Sequence, residues 1–307
     1  MTLTQFIDDD EIKKAIDEKF PKPNKKIDKD IICNPQSKNY ALVGQSFDYI
    51  ARFWIERQSD SVQKEDWNAS HGLNIVRQQL PSYKENCEKL YNNAEYQYNE
   101  YLKTGNFNKK TVQSAIDLSR LTTVYRSGYT GVLDNMGTYD EGDIEDCLNL
   151  YNSLDNSNAL SCTNSILNPS FGDISRLVGN ADADIIIDNK LIDIKTTKNA
   201  YFKKKDWRQI VGYAILVDLY NELCLSGNSK INIDELGIYF SRHSVLKVVD
   251  SDYLYENNNY KEFRAWFVDK ALNKYNMLEK PQKDYQREIF CEPYDYSNQG
   301  PTTLNDF

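Results

Sequence analysis

Histidine is nearly missing from this sequence: His71 and His243 are the two in 307 residues, which excludes a metal site built on imidazole ligands. The six cysteines, Cys33, Cys87, Cys147, Cys162, Cys224 and Cys291, are far apart, form no CxxC and pair with no histidine at zinc-ligand spacing. Free thiols in a reducing compartment are therefore expected. No GxxxxGK[ST] phosphate loop occurs, which argues against an intrinsic ATPase and a nucleotide cofactor. No apolar run approaches the roughly 20 residues that span a bilayer, so no membrane partner is expected. The opening stretch, MTLTQFIDDDEIKKAIDEKF, has neither the basic flank nor the apolar core of a secretory signal, and a cytoplasmic location is the expectation. Positive charge is scarce: 37 Lys and Arg stand against 46 Asp and Glu, a formal charge of -9. That balance excludes wholesale coating of nucleic acid, while leaving room for a small basic groove on an acidic body.

What is present describes a folded α/β protein. The composition is 40% apolar, 12% aromatic and 27% charged, within the range of globular chains. Residues 1–155 carry helical periodicity. Phe47, Ile50, Ala51 and Trp54 make one apolar face, as do Tyr83, Cys87, Leu90, Ala94, Tyr98 and Tyr101, and then Ile144, Cys147, Leu148 and Tyr151. Residues 156–172 lose that period and gather Asn, Ser, Pro and Gly, which reads as a loop and boundary. Residues 173–284 alternate strands with helices, and 285–307 form a tail with no clear period. Because one candidate site residue lies before the boundary loop, the N-terminal helices are expected to pack on the later core.

The stretch GNADADIIIDNKLIDIKTTK, 179–198, carries chemistry into what is otherwise core. Ile185-Ile186-Ile187 and Leu191-Ile192 with Ile194 are short strands separated by the turn formers Asp188-Asn189-Lys190, so a hairpin is expected. Residues two apart in a strand share a face. Asp182 and Asp184 thus point one way, and Asp193 and Lys195 point together. If the hairpin pairs as its turn suggests, three carboxylates gather at one sheet end and repel one another unless a cation joins them. Oxygen ligands are what Mg²⁺ prefers. A lysine beside such a metal completes the equipment for hydrolysing a phosphodiester.

Asp184, followed by Asp193-Ile194-Lys195, resembles the PD-(D/E)xK nuclease signature. In the helix after it, Gln209 and Tyr213 of DWRQIVGYAIL are similar to the QxxxY motif of the RecB-like, exonuclease-like branch. The resemblance covers about residues 170–250, and the ordered set from Gly179 to Tyr213 makes it more specific than a lone D-x-K. It implies a restriction-endonuclease-like core, a central mixed sheet flanked by helices, preceded by a mostly helical region. It also implies Mg²⁺ or Mn²⁺ as cofactor, DNA as substrate, and Asp184, Asp193, Lys195, Gln209 and Tyr213 as the catalytic set. Asp182 is a further candidate ligand; Asp184 is preferred because an apolar strand follows it directly. The branch often places a Gly-x-x-x-His motif on an earlier helix. Here Gly44 is followed by Asp48, with Glu56 two turns on, so either acid could complete the metal site. An exposed salt-bridged stripe through Asp48, Arg52 and Glu56 is the plainer reading of the same spacing. The cysteines do not follow the pattern of the branch's iron–sulfur members, and no cluster is expected.

Lys198, Lys203, Lys204, Lys205 and Arg208, with Trp207 among them, form a local basic cluster between the second strand and the next helix. Cations on a phosphate backbone with aromatics stacking on bases would suit frayed or single-stranded nucleic acid. A second function class is a catalytically silent subunit of this fold, binding a protein partner through the helical region. Oligomeric state stays open. The presence of acids, lysine and Gln-Tyr pair together favours the nuclease.

Overall fold

The computed structural model describes residues 2–24, 29–223 and 230–274. Helices α1 (Leu3–Ile7), α2 (Asp10–Lys19) and α3 (Tyr40–Gln58) lead into strand β1 (Ser61–Lys64), followed by α4 (Asn68–Gln79), α5 (Pro81–Thr104), α6 (Lys109–Ser127) and α7 (Glu141–Ser157). Strands β2 (Asn164–Leu167), β3 (Ile185–Ile187) and β4 (Lys190–Lys195) come next, then α8 (Lys204–Leu223), β5 (Glu235–Phe240), β6 (Val245–Asp250), α9 (Asp252–Tyr255) and α10 (Tyr260–Lys274). The strands form one mixed sheet in the order β1-β2-β3-β4-β5-β6. β1 with β2 and β4 with β5 are parallel, and the other neighbours are antiparallel.

Local sequence explains much of this. The β3–β4 hairpin turns at Asp188 and Asn189, at φ 41° and 63°. Two left-handed central residues are what a tight two-residue hairpin requires, and Asp and Asn tolerate them best after glycine. Helix α7 begins where Asp140 accepts from the Gly142 N–H at 2.8 Å, with Glu141 and Asp143 in its first turn. Helices α5 and α6 stop at Gly105 and Gly128, both left-handed, the usual device for a helix end.

Two apolar layers sandwich the sheet, and strand alternation sorts residues between them. Ile185, Ile187, Ile192, Ile194 and Tyr239 join the layer built by α3 to α7. Ile186, Leu191, Leu236, Ile238 and Phe240 join the other layer, with α1, α2, α8 and α10. Each fully buried large side chain contributes roughly 1.5–3 kcal/mol. Close approaches are made possible by glycine: a Cβ on Gly72 of α4 would stand 1.9 Å from the Leu121 carbonyl oxygen of α6.

One sequence expectation needs correction. Residues 156–172 are not all loop: α7 runs to Ser157, and 164–167 form β2. This strand is short and half polar, so its period was invisible, and it exists through pairing with β1 and β3. The N-terminal region is mostly helical, as expected, and also supplies edge strand β1, whose SVQK sequence is mostly exposed. His71 lies on α4, its ring tilted against Tyr125 with centroids 4.9 Å apart. The tail 285–307 falls outside the described residues, as do Cys224 and Cys291; Cys33, Cys87, Cys147 and Cys162 are free thiols. Among the described residues no helix is long and apolar enough to cross a membrane.

Candidate active site at the carboxyl end of β4

The register of the hairpin decides the site. Ile185 pairs with Ile192 across β3 and β4, and continuing that register one step sets Asp184 opposite Asp193. Like charges directly opposite destabilise a sheet, and this pair lies where β4 emerges from the core. The Asp184 Oδ2 accepts the Ile194 N–H at 2.7 Å, which pins that carboxylate against β4. Asp193 is buried at 2% exposure. Its Oδ2 meets the Lys195 ammonium at 2.6 Å as an ion pair, although no aligned hydrogen bond reaches that oxygen.

Helix α8 holds the lysine. Gln209 Oε1 accepts from Lys195 Nζ at 3.2 Å, Gln209 Nε2 donates to the Tyr213 hydroxyl at 2.9 Å, and that hydroxyl donates to the Asp182 carbonyl at 2.8 Å. One turn of helix thus links Lys195 to the strand that carries Asp184. Burial, reinforced by the nearby Asp184 and Asp193 charges, pushes the Tyr213 hydroxyl well above its usual range. It acts here as a neutral hydrogen-bonding group.

Asp48 arrives from α3. One turn earlier, Gly44 sits beside the end of β4, where a Cβ would make an ordinary contact with Thr196 Cβ at 3.8 Å. Burial and the Asp184 charge raise Asp48 to about 8, against the pull of Arg52, Arg126 and Lys195. Burial likewise raises Asp193 to about 7, with Asp184 adding to it and Lys195 opposing. Lys195 shows the complementary effect: burial disfavours its charge, but Asp193 and Asp184 outweigh that and hold it protonated. Arg52, Arg126 and Lys195 oppose, but do not offset, burial and the repulsion from Asp184.

The remaining candidates separate. Glu56 does not reach this centre: it pairs with Lys64 of β1 at 2.6 Å, two helical turns further along α3. Asp182 turns its carboxylate toward Asn68 at 3.2 Å and Arg126 at 3.8 Å. The basic cluster is largely consumed by the fold. Arg208 forms two hydrogen bonds to Asp17 of α2, at 2.7 and 2.6 Å, Lys204 meets the same carboxylate at 3.0 Å, and Lys205 pairs with Asp8 at 3.4 Å. Trp207 is 1% exposed, its indole donating to the Phe20 carbonyl at 3.0 Å, so it has no face to offer a base. These side chains sit on the first turns of α8 under α1 and α2, a contact no local pattern announces. Lys198 and Lys203 differ, lying over the rings of the exposed Tyr40 at 5.8 Å and Tyr201 at 5.7 Å. His243 is buried in the 241–243 turn. A separate polar cavity lined by Asn189, Asp218, Asp234 and Arg264 lies at the opposite end of β4.

The structure also brings in residues that spacing could not reveal. Arg126, in the last turn of α6, faces Asp182, Asp184 and Asp48. Asn168, beside β2, accepts from Arg52 at 3.3 Å and from Asn68 at 3.4 Å, while its N–H donates to the Asp184 carbonyl at 3.1 Å. None belongs to a motif, because each reaches the site from a separate helix or loop.

A hard divalent cation fits this donor set chemically. The donors are all carboxylate oxygens, and the charges on Asp48, Asp184 and Asp193 are mutually unfavourable without a partner. Among the described residues no group of three or more Asp, Glu, His or Cys side chains is arranged to hold a metal ion. A cation held here would draw its remaining ligands from water and substrate, as Mg²⁺ usually does. No protein family, curated protein or solved structure matches this chain.

Proposed function

We propose that the protein is a divalent-metal-dependent nuclease that hydrolyses phosphodiester bonds in DNA, built on a restriction-endonuclease-like core. The observation that carries this reading is the gathering of Asp184 and Asp193 with Lys195, itself clasped by Gln209, at the end of β4. A purely structural role gives no reason to bury Asp193 opposite another carboxylate.

In this reading Asp184 and Asp193 hold Mg²⁺ or Mn²⁺, with Asp48 completing the set from α3; Asp182, occupied by Asn68 and Arg126, supports the strand. The bound metal would polarise the scissile phosphate and acidify a water. Lys195, kept charged by Asp193 and Asp184, orients the attacking water and steadies the developing negative charge. Gln209 fixes the direction of the ammonium, and Tyr213 fixes Gln209. Lys198 and Lys203, beside exposed Tyr40 and Tyr201, flank the path by which a strand would enter. Free Cys33, Cys87, Cys147 and Cys162 are compatible with a cytoplasmic location.

The test is cleavage of end-labelled and circular DNA and RNA, single and double stranded, by wild type and Lys195→Ala with Mg²⁺, Mn²⁺ or EDTA. Metal-dependent cutting by wild type that the variant loses is expected. No cutting of any substrate would sink the catalytic reading and leave a silent subunit that binds partners.

A further inference from the structure

Several arginines among the described residues are spent on carboxylates. Arg208 and Arg242 each fork onto one carboxylate, Asp17 and Asp146, with contacts of 2.6–3.0 Å. Arg264 holds Asp218 at 2.8 Å and also pairs with Glu222. Such arginines are spent on the fold. Arg126 is different: its nearest carboxylate contact is Asp182 at 3.8 Å, and its side chain keeps 43% of its exposure. Burial works against its charge, but the neighbouring acids, Asp182 and Asp184 foremost, outweigh that. Arg52 is similar, lying over the Tyr49 ring at 4.6 Å and donating to the neutral amide of Asn168 at 3.3 Å. Both reach the acidic centre from the helical half of the chain, α6 and α3, whereas Lys195 and Gln209 reach it from the other half.

A guanidinium presents a planar fork of donors that matches two phosphate oxygens. Placed beside carboxylates but not locked onto one, such a fork stays available for an incoming anion. Resting on the nuclease reading, we infer that Arg126, aided by Arg52, is the receptor for the phosphodiester of the bound strand and seats it over Asp184 and Asp193. The phosphate replaces the loose contact to Asp182 with a close one. This assigns the helical N-terminal half a direct part in substrate binding.

The test separates binding from chemistry. In a Lys195→Ala background, which leaves DNA intact, anisotropy of a 3′-fluorescein single-stranded oligodeoxynucleotide is followed with Mg²⁺ over a range of NaCl. The same titration is run with Arg126→Ala, Arg126→Lys and Arg52→Ala added, each checked by thermal melting. Adding Arg126→Ala should weaken binding about tenfold, as for one lost hydrogen bond to a charged group. It should also lower the slope of log affinity against log salt by about 0.7, the share of one single-strand phosphate contact. Arg126→Lys should keep the slope and lose part of the affinity, which also decides the matter if Arg126→Ala melts early. Unchanged affinity and slope in both Arg126 variants would overturn the receptor, while wild-type cleavage lost in Lys195→Ala would still stand for the nuclease. A loss seen solely with 5′-phosphorylated oligonucleotide would overturn the phosphodiester assignment in favour of a terminal phosphate. Absence of both binding and wild-type cleavage would overturn both proposals.

Discussion

Two buried acid–base pairs in this molecule look alike in outline and differ in kind. Asp146 and Arg242, 0% and 1% exposed, join α7 to the turn after β5. The guanidinium forks onto both carboxylate oxygens at 2.7 and 3.0 Å and also donates to the Cys33 carbonyl at 3.3 Å, and the Ser37 N–H reaches the same acid at 3.4 Å. Every charge there has its partner. Asp193 and Lys195, 2% and 25% exposed, make one close contact at 2.6 Å, and Asp184 works against the acid from the neighbouring strand. The first pair is closed and fastens the fold. The second has one close partner and an opposing acid beside it, the unbalanced arrangement on which the proposed metal site rests.

The largest effect that would break this contrast is on stability. Arg242→Ala strands the Asp146 charge in the core and should cost about 3–5 kcal/mol, read as a lower urea midpoint; a shift below about 1 kcal/mol would erase the distinction. Lys195→Ala should instead cost turnover, at least a hundredfold or about 2.7 kcal/mol of transition-state stabilisation, with a smaller loss of stability than Arg242→Ala because Asp193, already raised, can take up a proton. Mg²⁺ then sharpens the contrast: at roughly a hundredfold excess over its dissociation constant it should stabilise wild type by about 2.7 kcal/mol. Asp184→Ala and Asp193→Ala should each abolish that gain in a calorimetric or thermal-shift titration, and Asp146→Asn should not.

A further effect concerns protons. Asp48 and Asp193, raised from 3.8 to about 8 and about 7 in the folded protein, bind more protons folded than unfolded. By linkage their contribution to stability is greatest near pH 4 and is lost as pH rises toward 8. In EDTA, Asp48→Asn should flatten that decline, and an identical pH profile for wild type and variant would contradict the repulsion argued for this centre.

The β-branched runs at 185–187 and 191–194 around the turn formers Asp188-Asn189-Lys190 showed the hairpin, and the period of two in a strand showed that Asp193 and Lys195 share a face. Gln209 and Tyr213, spaced four apart, were legible as one helix face, whereas their bonds to Lys195 and to the Asp182 carbonyl come from the tertiary structure. Basic residues in 198–208 misled for a physical reason. Composition reports which charges exist, but not that Asp17 and Asp8 from α2 and the segment before it will neutralise Arg208, Lys204 and Lys205. The same limit applies to Asp48 and Glu56, which share one helical stripe until the sheet edge claims Glu56 through Lys64.

Local order along the chain therefore determined what neighbours in sequence can encode: the helical faces, the hairpin, and the Asp-x-Lys and Gln-x-x-x-Tyr pairs that share a strand or helix face. Tertiary structure alone decided which distant groups meet. It recruited β1 and β2 to the sheet, chose Asp48 over Glu56, buried Trp207 under the first helices and set Arg126 against the acids. Contacts between far-apart segments depend on packing of the whole chain, and packing leaves no spacing in the sequence to be read.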